Sequence, residues 1–179
     1  MKRIALSLLM IIFLSITGCE GQENLNMEKP PDIGLHMAAL QGNLEAIQQH
    51  IKAGSNLNEK DQFGSTALII ASTFGKTDVA IALIGAGADL NLINADGSTA
   101  LITAAFFCRT EIVKVLLEKG ADKSIKNKVG STAWDSVSGP FENVKFYYDN
   151  ISKALGPLGL QLDYEQIKMT RPKIAVMLK

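Results

Sequence analysis

The chain has 179 residues, of which 18 are Lys or Arg and 18 are Asp or Glu, so the formal charges cancel at pH 7. This balance excludes the strongly basic surface that nucleic-acid-binding proteins carry. Two cysteines and two histidines are too few for a disulfide framework or a zinc cluster. We therefore expect one domain with short appendages, no bound metal, no cofactor and no nucleic-acid partner.

The N-terminal segment has the pattern of a secretory signal. Lys2 and Arg3 precede an apolar run from Ile4 to Ile16, and small residues follow it. The run is too short to cross a membrane, which takes about 20 apolar residues. Residues 1–18 are therefore interpreted as a signal peptide.

Residues 16–19, ITGC, resemble the lipobox of bacterial lipoproteins. That resemblance implies that the Cys19 thiol carries a lipid and that Cys19 is the first mature residue. Glu20 stands where aspartate would imply retention in the inner membrane, so the resemblance implies an outer-membrane protein facing the periplasm. The alternative is an ordinary cleaved signal with an incidental cysteine. In either case the polar, proline-ending residues 19–31 are predicted to form a flexible tether.

The sequence repeats itself every 33 residues. The block GSTAL at 64–68 returns at 97–101, and returns as GSTAW at 130–134. In each unit a glycine turn is predicted to precede two helices. In the unit at 61–93, Thr66 is predicted to cap the first helix and Gly87 to end the second. Helices this short are marginal alone, so their stability must come from stacking against neighbouring units.

This pattern resembles the ankyrin repeat. The resemblance implies an all-α solenoid of about four stacked helix–turn–helix units, at 32–60, 61–93, 94–126 and 127–155. There are departures: alanine stands where the family prefers proline, and its usual histidine survives only as His36. Cys108 occupies the helix-ending glycine position, where a positive φ is uncommon for cysteine.

The C-terminal part departs from the period. We predict that the second helix of the fourth unit runs from Pro140 to about Leu155 and that Gly156 ends it. Residues 158–162 alternate as in an extended segment. Beyond them, one short helix is predicted from Asp163 through Arg171, and another is predicted to begin at Pro172. Residues 156–179 are interpreted as a helical cap over the last repeat.

Few residues point to chemistry. His36 and His50 are interpreted as structural, since a metal site needs more ligands. Cys108 is expected to be a buried thiol, with a disulfide-linked dimer as the alternative. The nearest approach to a catalytic group is a set in the tail that we interpret as a solvated face. Its members are Asp163, Tyr164, Glu165, Lys168 and Arg171. We predict no catalytic residue.

In the ankyrin family, partners dock on the loop tips and on the outer side of each first helix. The resemblance therefore implies a partner-binding set on the concave side: Leu40, Gln41, Gln62, Phe63, Thr73, Phe74, Asp96, Phe106 and Phe107. Its four phenylalanines predict an exposed apolar patch, which usually marks a contact site. The alternative is that Phe74 and Phe106 turn inward and fill gaps between units.

The favoured function is a non-catalytic binding module, anchored by lipid to the bacterial envelope, that holds an unidentified protein. A role as helper or inhibitor of an envelope enzyme is one form of it. The alternatives are an enzyme or regulatory subunit that uses the C-terminal segment, and a structural protein that self-associates.

Overall fold

The computed structural model describes residues 29–179, so the predicted signal peptide, Cys19 and most of the tether lie outside the described residues. Within this part of the chain there are nine α-helices and no β-strand, which confirms the all-α prediction. The helices are α1 Leu35–Gln41, α2 Leu44–Lys52, α3 Ala67–Phe74, α4 Thr77–Gly85, α5 Ala100–Phe106, α6 Thr110–Glu118, α7 Asp135–Ser138, α8 Lys145–Leu155 and α9 Tyr164–Leu178. Short 3₁₀ turns cover Phe141–Asn143 and Gly156–Leu158. None of these helices combines the length and the apolar character needed to cross a membrane.

The helix boundaries follow from local chemistry. Thr66 and Thr99 precede α3 and α5, and each hydroxyl accepts a hydrogen bond from the N–H three residues later, at 3.3 and 3.2 Å. Asn43 caps α2 in the same way. Gly75 ends α3 with φ +65°. In this left-handed conformation its N–H donates a hydrogen bond to the Ala71 carbonyl at the end of the helix. The 33-residue period thus sets a helix start and a helix end in each unit.

The helices form two layers. The first helices pack in series, α1 on α3, α3 on α5 and α5 on α7, while α2 packs on α4 and α4 on α6. At the inner contacts, Ala38, Ala71 and Ala104 are completely buried. Because alanine is small, successive helices approach closely, and the core runs as one continuous cluster along the stack.

The fourth repeat takes its outer helix from an unexpected part of the chain. Helix α6 packs against α9, whereas α8 packs on the two 3₁₀ turns. The buried residues Ile112 and Leu116 of α6 have equivalents in α9, namely Ile174 and Leu178. The spacing between equivalent residues is 62, which exceeds the 33-residue period by 29. Helix α8 ends at Leu155 as predicted, but it begins at Lys145, and the prediction that it is the second helix of the fourth unit is wrong. A 29-residue insertion, residues 139–167, separates the two helices of this repeat.

Helix α9 is continuous where two helices were predicted. Asp163 caps its start by accepting a hydrogen bond from the Gln166 N–H at 3.0 Å, as expected. The helix then runs through Pro172. Pro172 is equivalent in the repeat to Thr110, the first residue of α6, and its side chain faces solvent. Its missing N–H costs one hydrogen bond, but the packing of Ile174 and Leu178 on the stack holds the helix together.

Candidate partner-binding surface

The loop tips between repeats are rigid fingers. In each finger the side-chain oxygen of Asp61, Asn94 or Asn127 accepts hydrogen bonds from the N–H groups two and four residues later, at 2.8–3.2 Å. Such turns fix the backbone through a local side chain. The fingers therefore keep one conformation without help from a partner.

Successive fingers are also bonded to each other. The Ala95 N–H donates to the Phe63 carbonyl at 2.9 Å, and the Lys128 N–H donates to the Asp96 carbonyl at 2.9 Å. Gly97, at φ +77°, allows this approach, because a Cβ there would lie 2.9 Å from the Lys128 nitrogen. The result is a continuous ladder along one edge of the stack.

Large apolar side chains project from this ladder. Phe63 is 64% exposed and Val129 is 81% exposed, and the equivalent residue of the finger between them is the exposed Asp96. We define the finger surface as Gln62, Phe63, Ala95, Asp96, Lys128 and Val129. Sequence reasoning missed Val129, although its 66-residue spacing from Phe63 could have identified it.

The predicted residues on the first helices are only partly available. Gln41 is exposed, while Leu40, Thr73 and Phe74 are half-buried. The Thr73 hydroxyl donates to the Ile69 carbonyl at 3.0 Å, so its polar group is already used within α3. Of these four residues, only Gln41 is as open to solvent as the finger residues.

The prediction of an exposed patch at Phe106 and Phe107 is wrong. Phe107 is only 6% exposed, and the Phe106 ring stacks on Tyr148 with a centroid distance of 4.4 Å. Tyr148 also donates a hydrogen bond to the Phe106 carbonyl. The insertion folds back over the end of α5 and supplies these contacts. Together they form an aromatic cluster, with members Phe106, Phe107, Phe141, Tyr148 and Tyr164.

Cys108 adopts φ +56°, the left-handed conformation of Gly75 at the equivalent place. Its Sγ is half-buried and lies 3.7 Å from the Ile167 carbonyl, to which it donates. Burial raises the pKa of the Cys108 thiol to about 11. Since the thiolate is the reactive form, this environment disfavours a disulfide-linked dimer.

Arg171 is buried, although the sequence pattern placed it on a solvated face. It is 2% exposed, and its guanidinium donates to the Ser136 carbonyl at 2.9 Å, the Gly139 carbonyl at 3.1 Å and the Tyr148 hydroxyl at 3.2 Å. Burial raises the pKa of Tyr148 to about 12, so that hydroxyl keeps its proton at neutral pH. Arg171 thus ties the insertion to α7.

The other candidates for chemistry also have structural contacts. Tyr164 donates to an Asp149 carboxylate oxygen at 2.9 Å, and Lys168 lies 3.6 Å from Glu142 in an exposed ion pair. Glu165 is exposed. In the first repeat, a ring nitrogen of His36 lies 2.9 Å from the Glu59 carbonyl.

His50 is buried, and its two ring nitrogens lie 3.0 Å from the Ser55 hydroxyl and 2.8 Å from the Ile33 carbonyl. Within residues 29–179, no three His, Cys, Asp or Glu side chains come together as a metal site.

Comparison with known proteins agrees with this architecture. A family model described as ankyrin repeats, in three copies, matches residues 35–127, which is just over half of the chain. Protein phosphatase 1 regulatory subunit 27 of Homo sapiens and that of Mus musculus are each 43% identical to the chain over 50 residues. The match covers 28% of this chain and 32% of each relative. With the period, the stacked helix pairs and the finger ladder, the family match shows that this chain belongs to the ankyrin repeat family.

Proposed function

We propose that this chain is a non-catalytic protein that is anchored to the bacterial envelope through Cys19 and holds a partner protein on its finger surface. Ankyrin repeats are modules for protein–protein interaction. The observation that carries the proposal is the ladder of fingers, which presents Phe63 and Val129 to solvent on a fixed backbone. A surface that is already ordered loses little conformational entropy on binding.

The finger surface offers both contact types that interfaces use. Phe63 and Val129 supply apolar anchors, and Gln62, Asp96 and Lys128 supply polar groups around them. Aromatic anchors surrounded by polar contacts carry most of the binding energy in typical interfaces. The aromatic cluster adds nothing to this surface, because its rings are used in packing the insertion.

The matched relatives add support for a regulatory role. Their name describes subunits that regulate a phosphatase, and the similarity spans 50 residues. We therefore propose that the bound partner is an enzyme of the envelope whose activity changes on binding. The alternative of an enzyme in the tail draws no support from Tyr164, Lys168 and Arg171, whose side chains are engaged in structural contacts.

Replacing Phe63 and Val129 by alanine is expected to reduce partner capture at least tenfold and to change the free energy of unfolding by less than about 0.5 kcal/mol, because both side chains face solvent. The measurement is affinity capture from envelope extract with residues 20–179, followed by titration of the main co-purifying protein. Phe146→Ala is the matched control, since Phe146 is 68% exposed but lies on the insertion. Equal capture by the double variant and the wild type would contradict the finger surface as the binding site.

Replacing Cys19 by serine in the full chain is expected to abolish incorporation of labelled fatty acid and to move the protein from the membrane fraction to the soluble fraction. The reason is that only a thiol can accept the lipid in a lipobox, and multiple acyl chains make anchoring stable. Cys108→Ser serves as the control and should leave both readouts unchanged. Labelling that persists in the Cys19→Ser variant would contradict the anchor.

A further inference from the structure

The third finger, residues 126–132, is positively charged. Lys126 and Lys128 are both exposed, and the finger itself contains no acidic residue. Neither ammonium group forms an ion pair with a carboxylate within residues 29–179. Asp135 follows the finger and offsets part of its charge, but that carboxylate is engaged in two local hydrogen bonds. The positive charge at the tip is therefore largely uncompensated.

The first two fingers, residues 60–66 and 93–99, have the opposite balance. They carry two acidic residues, Asp61 and Asp96, and one base, Lys60. The Lys60 ammonium donates a hydrogen bond to a carbonyl of the second finger at 2.7 Å, so it is already engaged within the ladder. The sign of the charge thus changes along the ladder between the second finger and the third.

An apolar side chain lies directly beside the two lysines. Val129 follows Lys128 in the chain and is 81% exposed. The backbone that carries it is fixed, because the Asn127 side-chain oxygen accepts hydrogen bonds from the Val129 N–H at 3.2 Å and the Ser131 N–H at 3.0 Å. The third finger therefore presents two positive charges and one apolar group in a set arrangement.

We propose that the partner presents an acidic segment to the third finger. Asp or Glu side chains of that segment pair with Lys126 and Lys128, and an apolar side chain beside them packs on Val129. This inference rests on the proposed function and adds the chemistry of the partner's contact segment. Complementary charges at the edge of an interface speed association and fix how the partner is oriented. The change of sign along the ladder favours one direction of the bound segment.

A nucleic acid or an anionic membrane fits the ladder less well than a protein segment does. Both carry negative charge throughout, which would also lie against Asp61 and Asp96 on the neighbouring fingers. Like charges that face each other across an interface are strongly unfavourable. A protein segment can instead place its acidic residues on the third finger and neutral or basic residues on the first two.

A random library of peptides of about 12 residues, which extend to roughly 40 Å, tests this chemistry with a defined probe. Peptides are selected on immobilised residues 20–179, as the wild type and as the double variant Lys126→Glu, Lys128→Glu. We expect the wild type to enrich peptides that combine Asp or Glu with a large apolar residue, and the variant to lose that enrichment. Lys153→Glu with Lys173→Glu is the matched control. It changes the net charge equally, at exposed lysines of α8 and α9, and should select the same peptides as the wild type.

Titration of a selected peptide by fluorescence anisotropy gives the magnitude. Reversal of the two charges is expected to weaken binding at least about tenfold. The affinity of the wild type should also fall between about 0.1 M and about 1 M salt, because the Debye length shortens from about 10 Å to about 3 Å. Circular dichroism should show unchanged helix content in the variant, since both lysines are exposed.

The proposal would be overturned by a selection that yields no specific peptide, by peptides that are not enriched in acidic residues, or by equal affinity in the charge-reversed variant. It would also be overturned if the wild type binds phosphatidylglycerol vesicles or single-stranded DNA and charge reversal abolishes that binding. Capture from envelope extract by the Phe63 and Val129 variants is a separate measurement. Its failure beside a successful peptide selection would contradict the proposed function alone.

Discussion

Removing residues 157–179 is expected to unfold the fourth repeat and to make the shortened chain aggregate or melt at least about 10 °C lower, given that about 1 kcal/mol shifts the melting temperature of a chain this size by about 2–4 °C. The deletion removes four side chains that are each at most 4% exposed: Leu160, Ile167, Ile174 and Leu178. Each contributes about 1.5–3 kcal/mol by its burial. Their combined loss is comparable with the whole stability of a typical domain.

The measurement is thermal unfolding followed by circular dichroism, together with light scattering at low temperature. Val176→Ser is the matched control in α9, because Val176 is 70% exposed and should tolerate the change. A truncated chain that melts with the full-length chain would show that α9 is not part of the stack.

Replacing Arg171 by alanine is expected to lower the free energy of unfolding by about 3–4 kcal/mol. Three hydrogen bonds to a charged donor are lost, each contributing about 1.5–3 kcal/mol, and relief of the cost of burying the guanidinium offsets part of that loss. The change removes the donor that joins the Ser136 and Gly139 carbonyls to the Tyr148 hydroxyl. The insertion would then lose its link to α7, and the aromatic cluster would loosen with it.

Chemical denaturation at a constant m-value measures this loss. Lys168→Ala, one turn earlier in α9, is the control, because exposed ion pairs such as that with Glu142 contribute at most about 1 kcal/mol. If Arg171→Ala and Lys168→Ala have the same midpoint, the buried guanidinium does not hold the insertion in place.

The sequence predicts the regular part of the fold well, because its signals are local and repeated. Thr66 and Thr99 mark helix starts, Gly75 marks a helix end, and a 33-residue spacing carries the pattern along the chain. Even the unusual positive φ of Cys108 follows from the glycine at the equivalent place in the preceding repeat.

The fourth repeat could not be predicted in the same way. Helix α8 carries an apolar stripe that starts near the position where the 33-residue period predicts an outer helix, so the sequence pattern favours α8 as part of the stack. The apolar face alone does not distinguish α8 from α9, since both helices have one. The recurrence of Ile112 and Leu116 as Ile174 and Leu178 is the one sequence signal for the correct helix, and a search at a single period overlooks it.

The packing of the insertion also explains why exposure is predicted correctly for Phe63 and incorrectly for Phe107. The finger that carries Phe63 is contacted by neighbouring fingers alone, so the exposure of Phe63 follows from its position in the repeat. Phe107 stands at the end of a first helix, where family resemblance implies an open surface. The insertion covers that surface, and no feature of the repeat itself indicates that it does.

Hydrogen exchange on the isolated complex with the captured partner tests most directly whether the finger surface binds that partner. We expect binding to protect the amides of the three fingers, residues 60–66, 93–99 and 126–132, and to leave α8 unchanged. Protection confined to α8 or to α9, with fingers that exchange as in the free protein, would contradict it.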